Sequence, residues 1–146
     1  MIETTRQSWL ADWLCDKIGL IPTPMLMCIG NVRDGRIVGV VGYDQYNGAS
    51  VIMHAAGDSS NWLSRDMLWA VFDYPFNVLG AKMIIGLVPS ANTDALSFNK
   101  HIGFRARQWL YGAHPDGALV LMTMAKDECR YLEIRHGQKE QAASSA

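Results

Sequence analysis

No stretch of this sequence stays apolar for the roughly 20 positions that a membrane-spanning helix needs, so no transmembrane segment is expected. An excess of one charge is also missing. Thirteen Lys and Arg against fourteen Asp and Glu leave a formal net charge of −1. That balance offers no electrostatic footing for nucleic acid as the main partner. Cysteine is scarce. Cys15, Cys28 and Cys129 are odd in number and scattered, which argues against a disulfide framework and makes no metal-ligand spacing. A reducing cytoplasm is the compartment expected from them. The first residues include Glu3 and Arg6 and lack the layout of a secretory signal. No internal repeat is visible.

What remains is a chain of 146 residues, 49% apolar, which suits one globular domain with a real core. That domain is expected over residues 1–135. The tail 136–146, rich in Gly, Gln, Ser and Ala, is expected to be disordered.

Thr4 or Thr5 is the expected cap of a first helix, with Trp9, Leu10, Trp13, Leu14 and Ile18 on one face and Gly19 as its stop. Pro22 and Pro24 keep the connection extended. Strands over residues 25–32 and 36–43 meet at Arg33-Asp34-Gly35, and Asn47-Gly48 leads into a third strand ending near Ala56. A helical pattern covers residues 62–79, with Leu63, Met67, Ala70, Val71, Tyr74 and Val78 on one stripe. Ser60, Asn61 or Ser64 can cap it. Pro75 lacks a backbone donor and crowds the carbonyl of Val71, which predicts a kink or an early end. A buried strand over residues 81–88 then completes a strand–helix–strand unit, whose two strands run parallel or splay apart. The last helix begins near Asn92 and buries Ala95, Phe98 and Ile102. Gly103 is placed for the left-handed stop, with Phe104 as the apolar contact beyond it. A hairpin of residues 105–111 and 118–124 turns at His114-Pro115-Asp116-Gly117, and residues 127–135 read as a short helical end.

This order of elements, with Tyr74-Pro75-Phe76-Asn77-Val78-Leu79-Gly80, Asn92-x-x-Ala95 and Ile102-Gly103-Phe104, resembles the GCN5-related N-acetyltransferase superfamily over residues 5–135. The branch it is most similar to is the ribosomal-protein-type one, with compact relatives encoded by tailed bacteriophages. The resemblance implies an α+β, acyl-CoA N-acyltransferase-like fold, a mixed and mostly antiparallel sheet of about six strands, flanked by helices and with splayed central strands. It implies acetyl-CoA as co-substrate, an amine acceptor and no metal. It also implies a cytoplasmic site of action, the host cytoplasm if the gene is a phage's. The implied cofactor contacts come from Ala55, Ala56, Ser60, Asn61, Trp62, Leu63, Ser64 and Arg65 around the strand end and helix start, and from Asn92 and Asn99 on the last helix. The family's diphosphate loop, Gln/Arg-x-x-Gly-x-Gly/Ala, falls here on Gly57, Ser60 and Trp62, none of which keeps the family residue. Asn99 stands where many members carry a tyrosine acid, and asparagine has no proton to give.

His54, near the end of the strand expected to line the cleft, is the candidate general base, because histidine titrates in the range the task needs. The alternative is a half-buried, hydrogen-bonded structural histidine. Asp44 and Asp58 are weaker candidates, since aspartate is common in turns. Tyr111 is the candidate replacement for the missing acid, against a plain packing role. Lys100, His101, Arg105 and Arg107 form either a phosphate-facing group or a solvated face. Two functional readings follow. One is acetyl transfer to a primary amine by direct attack. The other is a catalytically inactive module of the same fold that binds a host or virion protein. Trp62 separates them: an indole filling the gap between the splayed strands would defeat the enzyme reading. A homodimer is left open.

Overall fold

The computed structural model describes residues 1–58 and 61–133. A two-residue strand, β1 (Ile2–Glu3), precedes α1 (Gln7–Ile18) and three antiparallel strands, β2 (Met27–Arg33), β3 (Arg36–Asp44) and β4 (Ser50–Gly57). Then come α2 (Arg65–Asp73), a π-helical turn (Tyr74–Val78), β5 (Met83–Pro89) and α3 (Thr93–Ile102). The hairpin β6 (Arg105–His114) and β7 (Gly117–Ala125) follows. The strands form one sheet in the order β1-β2-β3-β4-β5-β7-β6. Every pair is antiparallel except β4–β5, which needs α2 as its crossover. This is the expected α+β architecture, with β1 as an added strand too short to leave a sequence pattern. The tail 136–146 lies outside the described residues.

Strand periodicity divides the core into two layers. On one face α2 and α3 bury Val41, Tyr43, Val51, Ile84, Val120, Met122 and Met124. On the other, Leu10 and Leu14 of α1 pack on Cys28, Val32 and Val40. Each such side chain contributes about 1.5–3 kcal/mol by leaving water. Helix α1 reaches only β2, β3 and β4, so no described helix covers its side of β5, β7 and β6.

Several local expectations change. Neither Thr4 nor Thr5 caps α1: the N-cap position is Arg6, with no side-chain cap, because the Thr5 hydroxyl and N–H turn back to Glu3 (2.7 and 2.9 Å). The second helix starts at Arg65, not at Trp62, and Ser64 is its cap, accepting from the N–H of Met67 (3.3 Å). In α3 the buried residues are Leu96 and Ile102, while Phe98 is exposed. The stop there is as expected. Gly103 has φ 116°, its N–H donates to Lys100, and that of Phe104 to Asn99 (3.1 and 2.9 Å). In place of the helical end expected over residues 127–135, Lys126–Glu128 is a single 3₁₀ turn, and residues 134 and 135 lie outside the described residues.

Pro75 acts through a mechanism more specific than a kink. It opens a π-helical turn, where the N–H of Leu79 donates to Tyr74 (2.9 Å). Without a proline N–H, the ordinary i→i−4 hydrogen bond to the carbonyl of Val71 is missing. The hydroxyl of the fully buried Tyr43 donates to that carbonyl instead. A residue on β3 thus satisfies the group that Pro75 leaves open on α2. The same burial pushes the Tyr43 phenol well above its ordinary pKa.

Candidate active site

Strands β4 and β5 pair over only three residues, Ser50↔Met83, Val51↔Ile84 and Ile52↔Ile85. Beyond Ile52, β4 continues to Gly57 with partners only on β3, and beyond Ile85, β5 continues to Pro89 with partners only on β7. The strands therefore part from Met53 and Gly86 onward, and the backbone groups facing the gap have no ladder partner. Unpaired strand edges of this kind accept an extended ligand as an added strand. Extending the three-pair register sets Met53 across from Gly86 on the helix-covered face, and His54 across from Leu87 on the α1 face.

The gap has room at its throat. Gly86 is buried, yet a Cβ built on it would meet no atom within 4 Å. Ala55, which shares the helix-covered face, is exposed, while Ala56 packs against the α1 cluster. Asn99 lies beside this space: its Nδ2 contacts the Sδ of Met122 (3.8 Å), and Met122 is the β7 partner of Gly86. Asn92, at the β5 end of the gap, caps α3 by accepting from the N–H of Ala95 (3.2 Å).

At the β4 end stands the start of α2. Its first-turn N–H groups have no carbonyl within the helix, and the dipole makes this end positive. Arg65 is its first residue and is exposed. The preceding loop is anchored to β2: Asn31 donates to the carbonyl of Trp62 and Arg33 to that of Asn61 (2.6 Å each). This anchoring directs the indole of Trp62 onto the paired glycines Gly39 and Gly57, where an added Cβ would lie 2.2 and 2.0 Å from it. Trp62 therefore covers the β3–β4 pair and does not fill the space between β4 and β5. Leu63 packs against the main core. Ser60 lies outside the described residues.

His54 sits on the α1 face, half-buried, and its imidazole ring has no hydrogen-bond partner among the described residues. Burial pushes its pKa below the ordinary 6.5, partly opposed by the charge of Asp44. Asp58 is held elsewhere, in an ion pair with Lys17 (2.9 Å). Tyr111 is not brought to the gap. It is 83% exposed on the edge strand β6, stacked on Trp109, with β7 and β5 between it and the opening. The basic group also comes apart. Arg105 pairs with Glu128 (2.7 Å), and Arg107 donates to Thr123 (2.9 Å) on the sheet face opposite α3, which carries Lys100 and His101. Two residues that patterning undervalued belong here. Asp44 had turn chemistry as its local reading, and Gly86 stood inside the strand expected over residues 81–88.

No protein-family model matches the sequence, and no curated protein does. Solved structures do match in fold. The spermidine/spermine N-acetyltransferase SpeG from Vibrio cholerae aligns at TM-score 0.73 and 12% identity over 91% of this chain and 97% of that one. The same organism's spermidine N-acetyltransferase in complex with CoA and spermine aligns at TM-score 0.65 and 17% identity, covering 83% and 75%. The Campylobacter jejuni N-acetyltransferase PseH in complex with acetyl coenzyme A aligns at 0.56 and 12%, covering 71% and 70%. At such identities the likeness is one of architecture, and the fold of this chain is that of the GCN5-related N-acetyltransferases.

Proposed function

We propose that the protein is an N-acetyltransferase that takes the acetyl group from acetyl-CoA and delivers it to a primary amine by direct attack. The observation that carries this reading is the gap opening after three β4–β5 pairs, with the start of α2 at one side and the free space above Gly86 at its throat. An extended pantetheine arm fits along the unpaired strand edges, and the diphosphate fits the N–H groups at the α2 start, with Arg65 at hand. Asn92 and Asn99 line the α3 side. In the transfer, His54 takes a proton from the acceptor ammonium. The freed amine nitrogen bonds to the thioester carbonyl carbon, the C–S bond breaks, and the sulfur leaves as thiolate. The thiolate takes up the second proton that the nitrogen loses as the amide forms. Backbone N–H groups of β4 facing the gap are suited to polarise the carbonyl. Holding both reactants in place supplies much of the rate.

The position of Trp62 favours this over the non-catalytic binding module, whose support is the altered diphosphate loop and Asn99, because an indole in the gap would have defeated the enzyme reading. The placement in a ribosomal-protein-type or phage-encoded branch rests on residues 74–80 and 92–104 alone. A reducing cytoplasm stays the proposed compartment, on the scattered cysteines of the sequence. The test is isothermal titration with acetyl-CoA, followed by intact-mass analysis of amines incubated with both. A saturable heat and a gain of one acetyl group are expected. No heat and no rise in melting temperature at millimolar acetyl-CoA would refute the reading.

A further inference from the structure

Asp44 is a buried carboxylate without a cation. It is 7% exposed and accepts from the Thr23 hydroxyl (3.1 Å to each oxygen) and the N–H of Gln45 (2.9 Å). No ion pair among the described residues includes it. Buried charges are ordinarily paired as well as hydrogen-bonded, and Asp44 has the hydrogen bonds without the positive partner. Its place relative to His54 follows from register. Asp44 pairs with Ile52 and His54 with Gly42, so the two lie diagonally across β3 and β4 on one face, about 7 Å apart at Cβ. That face is the one that no described helix covers beyond β4.

A straight row of partners leads away from Asp44: Ile52, then Ile85, then Thr123. Leu87 and its partner Leu121 form the adjacent row, level with His54, and Leu87 is 40% exposed. At the far end Arg107 donates to the hydroxyl of Thr123 (2.9 Å). Three strand spacings, roughly 14 Å, separate the carboxylate from Thr123. The open face is thus an apolar floor with a negative group at the His54 end and a guanidinium at the other.

We infer that this floor is the acceptor site, that Asp44 is the counter-ion of the acceptor ammonium beside His54, and that the acceptor is a monocationic primary amine on an apolar frame rather than a polyamine. The assignment rests on the transferase reading above. The first ammonium neutralises Asp44 and lies within reach of His54. The carbon frame covers Ile85, Leu87 and Leu121. A second ammonium further along meets Ile85, Leu87 and Leu121, then the Thr123 hydroxyl and Gln108, and beyond them the Arg107 guanidinium and the Arg105–Glu128 pair, whose net positive charge opposes the binding of a polyamine here although the fold resembles polyamine acetyltransferases.

The experiment uses acetyl-CoA with 4-phenylbutylamine and with spermidine, measuring kcat and KM for each. The expected result is a kcat/KM for phenylbutylamine at least about tenfold above that for spermidine. Asp44→Asn raises the KM for phenylbutylamine about tenfold or more while acetyl-CoA affinity by calorimetry is unchanged. Arg107→Glu alters an exposed position, so it tests the idea even if the Asp44 variant does not fold. It should move the preference severalfold toward spermidine. Wild-type preference for spermidine, an unchanged preference in Arg107→Glu, or acetyl-CoA binding with turnover of neither amine each overturns the assignment and leaves the cofactor reading standing. Absence of acetyl-CoA binding by the wild type removes both.

Discussion

Gly86 and His54 face opposite sides of the same gap, and each makes a prediction of its own. A glycine inside a strand ordinarily weakens it, and here the missing side chain leaves the throat clear. Gly86→Val should therefore lower acetyl-CoA affinity by at least about tenfold, with a melting temperature equal to or above the wild type's. An unaltered titration would show that the ligand does not pass Gly86. For His54 the sign follows from burial, which disfavours the charged imidazolium and keeps the ring neutral to a lower pH than usual. The acid limb of kcat/KM should then rise with pH through a midpoint below 6.5. His54→Gln should lose that limb and roughly a hundredfold of rate or more. A variant that keeps both would remove the base role. The alternative of a structural histidine is weakened because its ring lacks a hydrogen-bond partner among the described residues, a fact of environment that no sequence pattern carries.

The helix α2 and its π-helical turn show how one element depends on a distant one. Removal of the Tyr43 hydroxyl leaves the carbonyl of Val71 buried and unpaired, so Tyr43→Phe should cost about 1–3 kcal/mol in urea denaturation. Pro75→Ala restores an N–H that can turn to the same carbonyl. The double variant should be destabilised less than the sum of the two single ones, and strict additivity would disprove the link. That Pro75 disturbs the helix was legible from proline chemistry. That β3 supplies the missing donor was not, because Tyr43 and Val71 are 28 residues apart. Cap choice has the same character. Ser60, Asn61 and Ser64 were equivalent as letters. Ser64 acts because Asn31 and Arg33 anchor the loop before it and so fix where the helix begins.

Across the whole molecule, acid sensitivity begins at the chain start, where one carboxylate holds the turn from β1 into α1. Glu3 on β1 accepts from the hydroxyl and N–H of Thr5 and from the Arg6 guanidinium, and these hold its pKa at about 2 against an ordinary 4.5. A carboxyl whose pKa is lower in the folded state adds stability that is fully present above 4.5 and lost as pH falls toward 2. Melting temperature should thus decline over that window, and Glu3→Gln should flatten the decline. The same slope in the variant would place the acid sensitivity elsewhere. His54 acts in a higher window with the same direction: the fold favours its neutral form, so stability falls as pH drops below 6.5. The face of β5, β7 and β6 opposite α2 and α3, which no described helix covers, also belongs to this scale.

The sequence by itself determined the order of elements from α1 to β7, the Asp34-Gly35 turn, the stop at Gly103, the disturbance at Pro75 and a family likeness concentrated in residues 74–104. All of these are local, set by propensity, turn chemistry and spacing within a few residues. Only the tertiary structure decided that the β4–β5 ladder ends after three pairs, that Trp62 lies on Gly39 and Gly57 and leaves the gap clear, and that Tyr111 stands two strands away. It also decided that Asp44 shares a face with His54. Those outcomes depend on register and on which strand lies beside which, and they arise from contacts between residues far apart in the chain, for which a one-dimensional pattern holds no signal.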